Sequence, residues 1–471
     1  MPDIYGILST ASRSLLTQQK AIDVTGQNIA NVNTPGYSRQ RVVMQPNTPI
    51  AFEPGQMGTG VKAAEIERIY DRYVGGQINR ESMNLGQWEA AEGALQRIEL
   101  VFDETSGVGL NQSLNEFWSA WQDLVSNPGG YSERTVLASR SQTLSRTINN
   151  MSNNLQQIQA DYDTNIGGAI GEINAIASQI ADLNHKISQV EVAGQNSNDY
   201  RDQRDLLLKD LATLIDVTTF ENDAGQVTVL VGDGKPLVQS PYAWELSTRT
   251  NASGLQDVVW LERDGSPTDI TAAIDGGKLK GWIDVRDGYA ADYIHALDDL
   301  TEAIVTEVNA LHQSGFGLSI DPVSGLPVTG QDFFVASGIT AASMSVNPDI
   351  LGDVNRIAAA TTAATVPGDN RNAVAIAALQ SQGTMMGGKA TFDDFYSALV
   401  GRVGNDVRYA SANHDYEVAM VSQLENYRES VAGVSLDEEM INLVKYQHAY
   451  EAAARVINTV DEMLDTVLNM V

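Results

Sequence analysis

Leu436, Leu443, Tyr450, Ile457, Leu464 and Val471 stand seven residues apart at the end of this chain, and Met440, Gln447, Ala454, Asp461 and Leu468 fill the second position of each heptad. This repeat predicts a helix that buries one narrow seam against another helix, because a lone helix cannot hide such a stripe. Gln447 and Asp461 interrupt the seam, and polar residues there set register more than they supply stability. The first thirty residues carry a matching pattern: Leu8, Leu15, Ile22 and Ile29 are seven apart, with Ile4, Ala11 and Thr25 near the intervening position. Both ends therefore need partners, and each other is the nearest choice. Residues 1–45 hold four basic and two acidic side chains, whereas 432–471 hold two basic and seven acidic. An exposed ion pair contributes about 0–1 kcal/mol, against about 1.5–3 kcal/mol for full burial of one such apolar side chain. Charge selects the register and apolar burial supplies the stability.

The first helix is expected to stop inside "ANVNTPGYSRQ", residues 30–40. Asn31 and Asn33 suit a helix C-terminus, and the following proline pushes Thr34 out of helical geometry. Thr34-Pro35-Gly36-Tyr37 fits a type II turn with Pro and Gly at its centre. The chain reverses there.

Segments near 68–102 and 109–126 read as helices, the second placing Phe117, Trp118, Trp121 and Leu124 on one core-facing side. Past "SNPGGYSE", Ser132 with Glu133 is expected to cap a very long helix over 132–193, roughly 90 Å at 1.5 Å per residue. Two successive steps of four, Ile158 to Tyr162 to Ile166, make a stutter beside Gly167 and Gly168. There the supercoil unwinds or the helix bends. Another helix covers 199–215. "QVTVLVG", "YAWELST" and "DVVWLE", separated by "NDAG", "GDGK" and "RDGS", then read as a small antiparallel β unit over 217–281. Helical spacing returns at 285–313, 370–382 and 391–432.

The fold class is thus mainly α with an inserted small antiparallel β domain, elongated and multidomain. Residues 1–45 and 433–471 form a terminal coiled coil. Residues 46–216, 282–315 and 366–432 form a helical bundle, and 217–281 an outer β domain. The irregular stretch 316–365 is open to either layer and is grouped with the β domain.

Composition removes several function classes. Thirty basic against sixty acidic side chains give a net charge of -30, which opposes binding to phosphate backbones. No apolar run approaches the eighteen or more residues of a membrane span. The absence of cysteine excludes disulfides, thiolate metal sites and cysteine nucleophiles. "MPDIYGILST" lacks a cleavable signal pattern, which leaves a cytoplasmic protein or one exported unfolded by another route. His185, His295, His312, His414 and His448 are scattered without zincin spacing. "VGDGKP" reads as a hairpin turn through Asp233-Gly234, and "GQMGTG" fails the dinucleotide fingerprint. The adjacent carboxylates Asp298-Asp299, Asp393-Asp394 and Glu438-Glu439 diverge by about 100° on a helix and read as solvated faces. No catalytic residue, cofactor or metal is assigned, and the expectation is a non-enzyme.

"ANVNTPGYSRQ" resembles the N-terminal signature of the axial proteins of the bacterial flagellum, and "SLDEEMINLVKYQHAYEAAARVINTVDEMLDTVLNMV" resembles their paired C-terminal segment. "DYRDQRDLLLKDLATLIDV", "GVSLDEEM" and "KYQHAY" are similar to the hook-filament junction members of that family. The resemblance covers the termini and roughly residues 60–216 and is weak over 217–365.

It implies an inner coiled coil from both ends, a helical second layer and an outward β domain. It further implies flagellar type III export without a cleavable signal, a dedicated chaperone on the C-terminal helix, and extracellular assembly as a ring between hook and filament. The partners would be further copies, the hook protein and the second hook-filament junction protein, with no nucleic acid and no membrane. The expected assembly interface comprises Leu8, Leu15, Ile22, Ile29, Asn31, Asn33, Pro35, Gly36, Tyr37, Arg39 and Arg41 with Leu436, Met440, Leu443, Tyr450, Ile457, Leu464, Leu468 and Val471. Tyr37, Arg39 and Arg41 are expected to anchor the turn against neighbouring subunits. Before assembly the terminal helices are expected to be largely mobile, since isolated helices are marginal. A hook or distal-rod subunit shares both ends and is the nearest rival. An exported adhesin or enzyme would place its function, glycan binding included, in 217–365.

Overall fold

A computed structural model describes residues 4–52, 55–104 and 109–469 of the chain; Val471 lies outside them. In chain order the elements begin with α1 (Ile4–Ala30), β1 (Gln40–Pro46), β2 (Ile50–Phe52), β3 (Gly55–Met57) and β4 (Val61–Arg68). The helices α2 (Arg72–Val101), α3 (Leu110–Ser126), α4 (Tyr131–Val192) and α5 (Asn198–Leu214) follow. The inserted β unit comprises β5 (Thr218–Glu221), β6 (Val227–Val231), β7 (Lys235–Gln239), β8 (Tyr242–Ala243), β9 (Leu246–Thr250), β10 (Gln256–Leu261) and β11 (Pro267–Asp269). Then come α6 (Gly277–Ile283), α7 (Ala290–Ser314), β12 (Phe316–Ile320), β13 (Pro327–Thr329), α8 (Pro348–Gly352), α9 (Arg371–Ala378), α10 (Phe392–Ala432) and α11 (Leu436–Leu468).

Helix starts follow from local chemistry. Asp71 accepts from the amides of Tyr73 and Val74 at the head of α2, and Thr391 and Asp394 form a capping box on α10. The 62-residue α4 differs from its expected cap: Gly130 precedes its first turn without a side-chain bond, and Ser132 lies inside the helix. Glu133 remains in that first turn, where its charge complements the helix dipole.

The stutter on α4 divides two cores. Up to Tyr162, the α4 stripe packs with α3, α7, α9 and α10; from Ile166 onward it packs with α5, α6 and the β unit. Phe117, Trp118, Trp121 and Leu124 are all fully buried in the first core, with Trp118 stacked on Phe392 at 5.8 Å. At the same level the helix joining α6 to α7 widens into a π-helical turn, Asp284–Tyr289. Its fully buried Arg286 bonds Asp163 of α4 at 2.6 Å and the Gln256 carbonyl of β10 at 2.7 Å. One guanidinium therefore pins the β unit to the long helix.

Three sequence expectations are corrected. The β unit ends near 270, because Gly277 already starts α6; its φ of +75° follows a turn and "GGKLKGW" is too short to show a helical period. Residues 40–45, expected in the terminal coiled coil, together with 46–52 and 55–68, expected in the helical bundle, carry the β2–β3 and β1–β4 pairs, the latter with Gln40 opposite Arg68 and a bulge at Val43/Met44. The irregular stretch 316–365 packs with the helical body and not with the β unit. Phe333 and Phe334 enter the aromatic core, Phe333 lying 5.3 Å from Trp121 and Phe334 5.9 Å from Phe117. Burial of two adjacent large rings outweighs the lack of regular structure around them.

Candidate functional site

The end of α1, the turn that follows, the head of α5 and the head of α11 meet at one place. The turn itself has the expected form: Gly36 has φ +77° and the Tyr37 amide donates to the Thr34 carbonyl at 3.2 Å. A β-carbon on Gly36 would lie 3.4 Å from Leu206 of α5, so the turn sits directly on that helix.

Asn28, 1% exposed, is the centre. Its Nδ2 donates to the Gln40 carbonyl at 2.8 Å and to Glu439 Oε2 at 3.1 Å, and its Oδ1 accepts from the Tyr37 hydroxyl at 2.8 Å and the Gln40 amide at 3.0 Å. Both donors and both lone-pair directions of the amide are used. The Gln40 main chain, offering one donor and one acceptor, fixes which way that amide points. Glu439, 2% exposed, also receives Arg39 Nε at 2.7 Å, while Arg39 Nη1 reaches Glu438 at 2.6 Å. Adjacent carboxylates read as a solvated face are thus joined by a single forked guanidinium, whose geometry spans two diverging side chains. Burial lowers the Arg39 pKa, but Glu438 and Glu439 outweigh it and the net shift is upward. The Tyr37 hydroxyl is raised by burial and by Asp199, Asp202 and Glu439, so it stays a donor.

Helix α5 supplies the other side. Asn198, Asp199, Asp202 and Asp205 fall on one helical face. Gln40 donates to Asp199 at 2.7 Å and accepts from Asn198 at 3.2 Å, and the Ser38 amide donates to Asp202 at 2.9 Å. Arg68, at the end of the β1–β4 hairpin, bonds Asp202 at 2.8 Å and Asp205 at 2.7 Å and lies 4.1 Å over the Tyr70 ring. Burial raises the Asp202 pKa despite these donors. The opposite flank of α5 carries Arg201, paired with Glu191 at 2.7 Å, and buried Arg204, which donates to the Gly225 carbonyl at 2.6 Å. One helix therefore faces the chain ends with acids and the β unit with arginines.

Several residues of the expected interface have partners within the chain. Tyr37 and Arg39 are engaged within the chain, and exposed Arg41 pairs with Glu67 across its own hairpin, so these three have partners without any neighbouring subunit. Asn31 donates to the Gln27 carbonyl and accepts from Thr34, closing the end of α1; Asn33 and Pro35 are exposed.

The terminal helices run antiparallel, and their seam is displaced from the heptads. On α1 the buried residues are Ala11, Thr17, Ala21, Val24, Thr25 and Asn28, while Leu8, Leu15, Ile22 and Ile29 are half-buried on its flank. On α11 the buried line is Glu439, Ala453 and Val460, one residue before the expected Met440, Ala454 and Asp461. Leu443, Ile457 and Leu464 are half-buried, and Leu436, Met440, Tyr450 and Leu468 are exposed. Small residues let the two backbones approach closely, so the alanines occupy the contact and the larger side chains flank it. An apolar groove of about 560 Å³ remains between α1 and α11, lined by Ile7, Ala11, Met57, Ala453 and Val456. Among the described residues no helix is long and apolar enough to cross a membrane.

Paired terminal helices joined to an elongated helical body define a flagellar axial subunit, and three family models match in that order. Residues 8–37 match "Flagella basal body rod protein", 95–334 match "Flagellar hook-associated protein FlgK helical domain", and 429–470 match "Flagellar basal body rod FlgEFG protein C-terminal". The chain belongs to the flagellar hook-associated protein FlgK family. It is 29% identical to flagellar hook-associated protein 1 of Bacillus subtilis, over 98% of this chain and 97% of that protein. The protein of the same name from Escherichia coli is 25% identical, over 98% and 99%. The solved flagellar hook junction protein FlgK of Burkholderia pseudomallei shares the fold, with a TM-score of 0.65 and 16% identity over 76% of this chain and all of that one.

Proposed function

We propose that this chain is the structural subunit of the junction between flagellar hook and filament, a non-enzymatic protein that polymerises through its paired ends. The observation that carries the reading is the polar clasp: "ANVNTPGYSRQ", the Asp-rich head of α5 and "SLDEEM" are bonded to one another through Asn28, Arg39, Gln40, Asp202 and Glu439. It gives the terminal pair a fixed base on the body. Beyond it, α11 packs chiefly against α1 and keeps Met440, Met463, Val467 and Leu468 exposed.

In this account the flanking stripes Leu8, Leu15, Ile22, Ile29 and Leu436, Met440, Leu443, Tyr450, Ile457, Leu464 and Leu468 are covered by adjoining copies, by hook protein on one side and by the second junction protein on the other. The same stripes explain a need for an escort on α11 before assembly. Unfolded passage through the type III channel suits a chain without disulfides. Head-to-tail contacts of this kind propagate along a helical lattice instead of closing as dimers. Deletion of the gene tests the function: cells should retain hooks and lack filaments. Loss of the hook itself would reassign the chain to the hook or distal rod.

A further inference from the structure

The four-stranded sheet of the β unit runs in the order β5-β6-β7-β8, which leaves β5 with one unpaired edge. The Asn222 amide donates to the Gln226 carbonyl just past the strand, so Phe220 and Thr218 occupy the bonded positions of the β5–β6 ladder. The main-chain groups of Thr219 and Glu221 therefore point away from β6. Val217, next in that alternation, has its amide directed at Met83 Sδ of α2, 3.1 Å away. No group among the described residues bonds the main chain of Thr219 or Glu221 on this side.

A groove of about 350 Å³ runs along this edge between Thr218 and Thr219 and the first turns of α2. Gly76 forms part of its wall, where an added β-carbon would meet nothing within 4 Å. Arg72 and Arg80 line the groove, and the Glu221 carboxylate at its end is neutralised by Arg201 and Arg204 as well as by Arg72. Arg72 shares Glu221 at 3.1 Å, while exposed Arg80 has no ion pair among the described residues. The local charge of this groove is opposite in sign to the chain's net charge of -30.

We propose that the β5 edge and the first turns of α2 form a strand-addition groove for an extended acidic segment of a partner protein. Main-chain bonds to Thr219 and Glu221 would hold the segment, and Arg80 with Arg72 would select its charge. The edge is short, so the complex is transient by design and salt-sensitive.

The test uses the full-length chain and a fluorescein-labelled peptide of alternating Glu and Val, with two controls: the Lys/Val peptide, and the Glu/Val peptide N-methylated at every amide, which leaves neither edge able to donate. Anisotropy should show binding of the acidic peptide alone. Thr219→Pro removes the outward donor and should weaken binding about tenfold or more, as should Arg80→Glu, while Thr219→Ala, which loses the hydroxyl but keeps the donor, should bind like the parent. Equal binding of the N-methylated peptide, or of the Lys/Val peptide, would overturn the proposal, as would no binding of the acidic peptide at millimolar concentration. The peptide controls and Arg80→Glu leave the strand intact, so the proposal can fail or stand whether or not Thr219→Pro folds.

Discussion

Asn28 donates a buried hydrogen bond to Glu439, 411 residues away in the chain and 3.1 Å away in space. Through it the two ends of the polypeptide share one polar centre, closed by Tyr37, Gln40 and Arg39. Truncating a buried partner leaves the remainder unsatisfied, at a cost of about 1–3 kcal/mol. Glu439→Ala should therefore speed amide exchange in residues 20–45 and 432–445, with α3 and the first half of α4 unchanged. Uniform acceleration across the whole chain would count against a local clasp.

Gly36 adopts φ +77° against Leu206. A valine there adds strain of roughly 1–2 kcal/mol and pushes the turn off α5. Gly36→Val should leave the circular dichroism of the soluble body unchanged and reduce filament-bearing flagella on complementation of a deletion strain. Normal complementation would show that the turn is a plain surface feature.

Phe333 bridges the irregular 316–365 segment and α3, between Trp121 and Phe334. Phe333→Ala should cost about 3–5 kcal/mol and expose α3 to proteolysis before the β unit. Selective loosening of the β unit would return that segment to the outer domain.

Glu417 on α10 faces Glu81 on α2, and His414, a turn away, pairs with Glu92. Burial, then the charge of Glu81, raises the Glu417 carboxyl to about 7 from an ordinary value of 4.5. Below pH 4.5 the group is protonated whether folded or not and costs nothing. As pH rises from 4.5 the unfolded chain releases this proton first, so stability falls until about pH 7 and then levels. Glu417→Gln should flatten that part of the pH profile in denaturant titrations, with the parent and variant converging at low pH.

Distal α11 has fewer partners than its base. Trypsin should cut the soluble chain first at exposed Arg455, while buried Arg134, Arg204 and Arg286 resist. Cleavage within the body before that site would contradict the view that assembly orders the distal helix.

The long helices were legible because Ile148 to Ile187 repeat an apolar step over forty residues, whereas the stutter at Tyr162, read only as a place where the helix unwinds or bends, falls where two cores divide. The β1–β4 hairpin was not, because charged "QRVVMQP" and "VKAAEIER" rest on α1 without clean alternation. The heptads announced two interacting helices but misplaced their contact, since alanines mark the closest approach and leave the leucines at its rim. The clasp was hidden for a different reason. Asn28, Gln40 and Glu439 are polar and look solvated until residues hundreds of positions apart are brought together. The signal in the chain was Asn198, Asp202 and Asp205 on one face of α5, opposite its leucines, which marked a face with a charged partner to find.

The coupling between Asn28 and Glu439 tests the central claim most directly. Opening free energies for the second-turn amides of α11, residues 440–443, measured by hydrogen exchange in the parent, Asn28→Ala, Glu439→Ala and the double variant, close a thermodynamic cycle. A coupling of about 1 kcal/mol or more is expected for residues that share one buried bond. A coupling indistinguishable from zero would mean that the two ends of the chain are not held by this clasp.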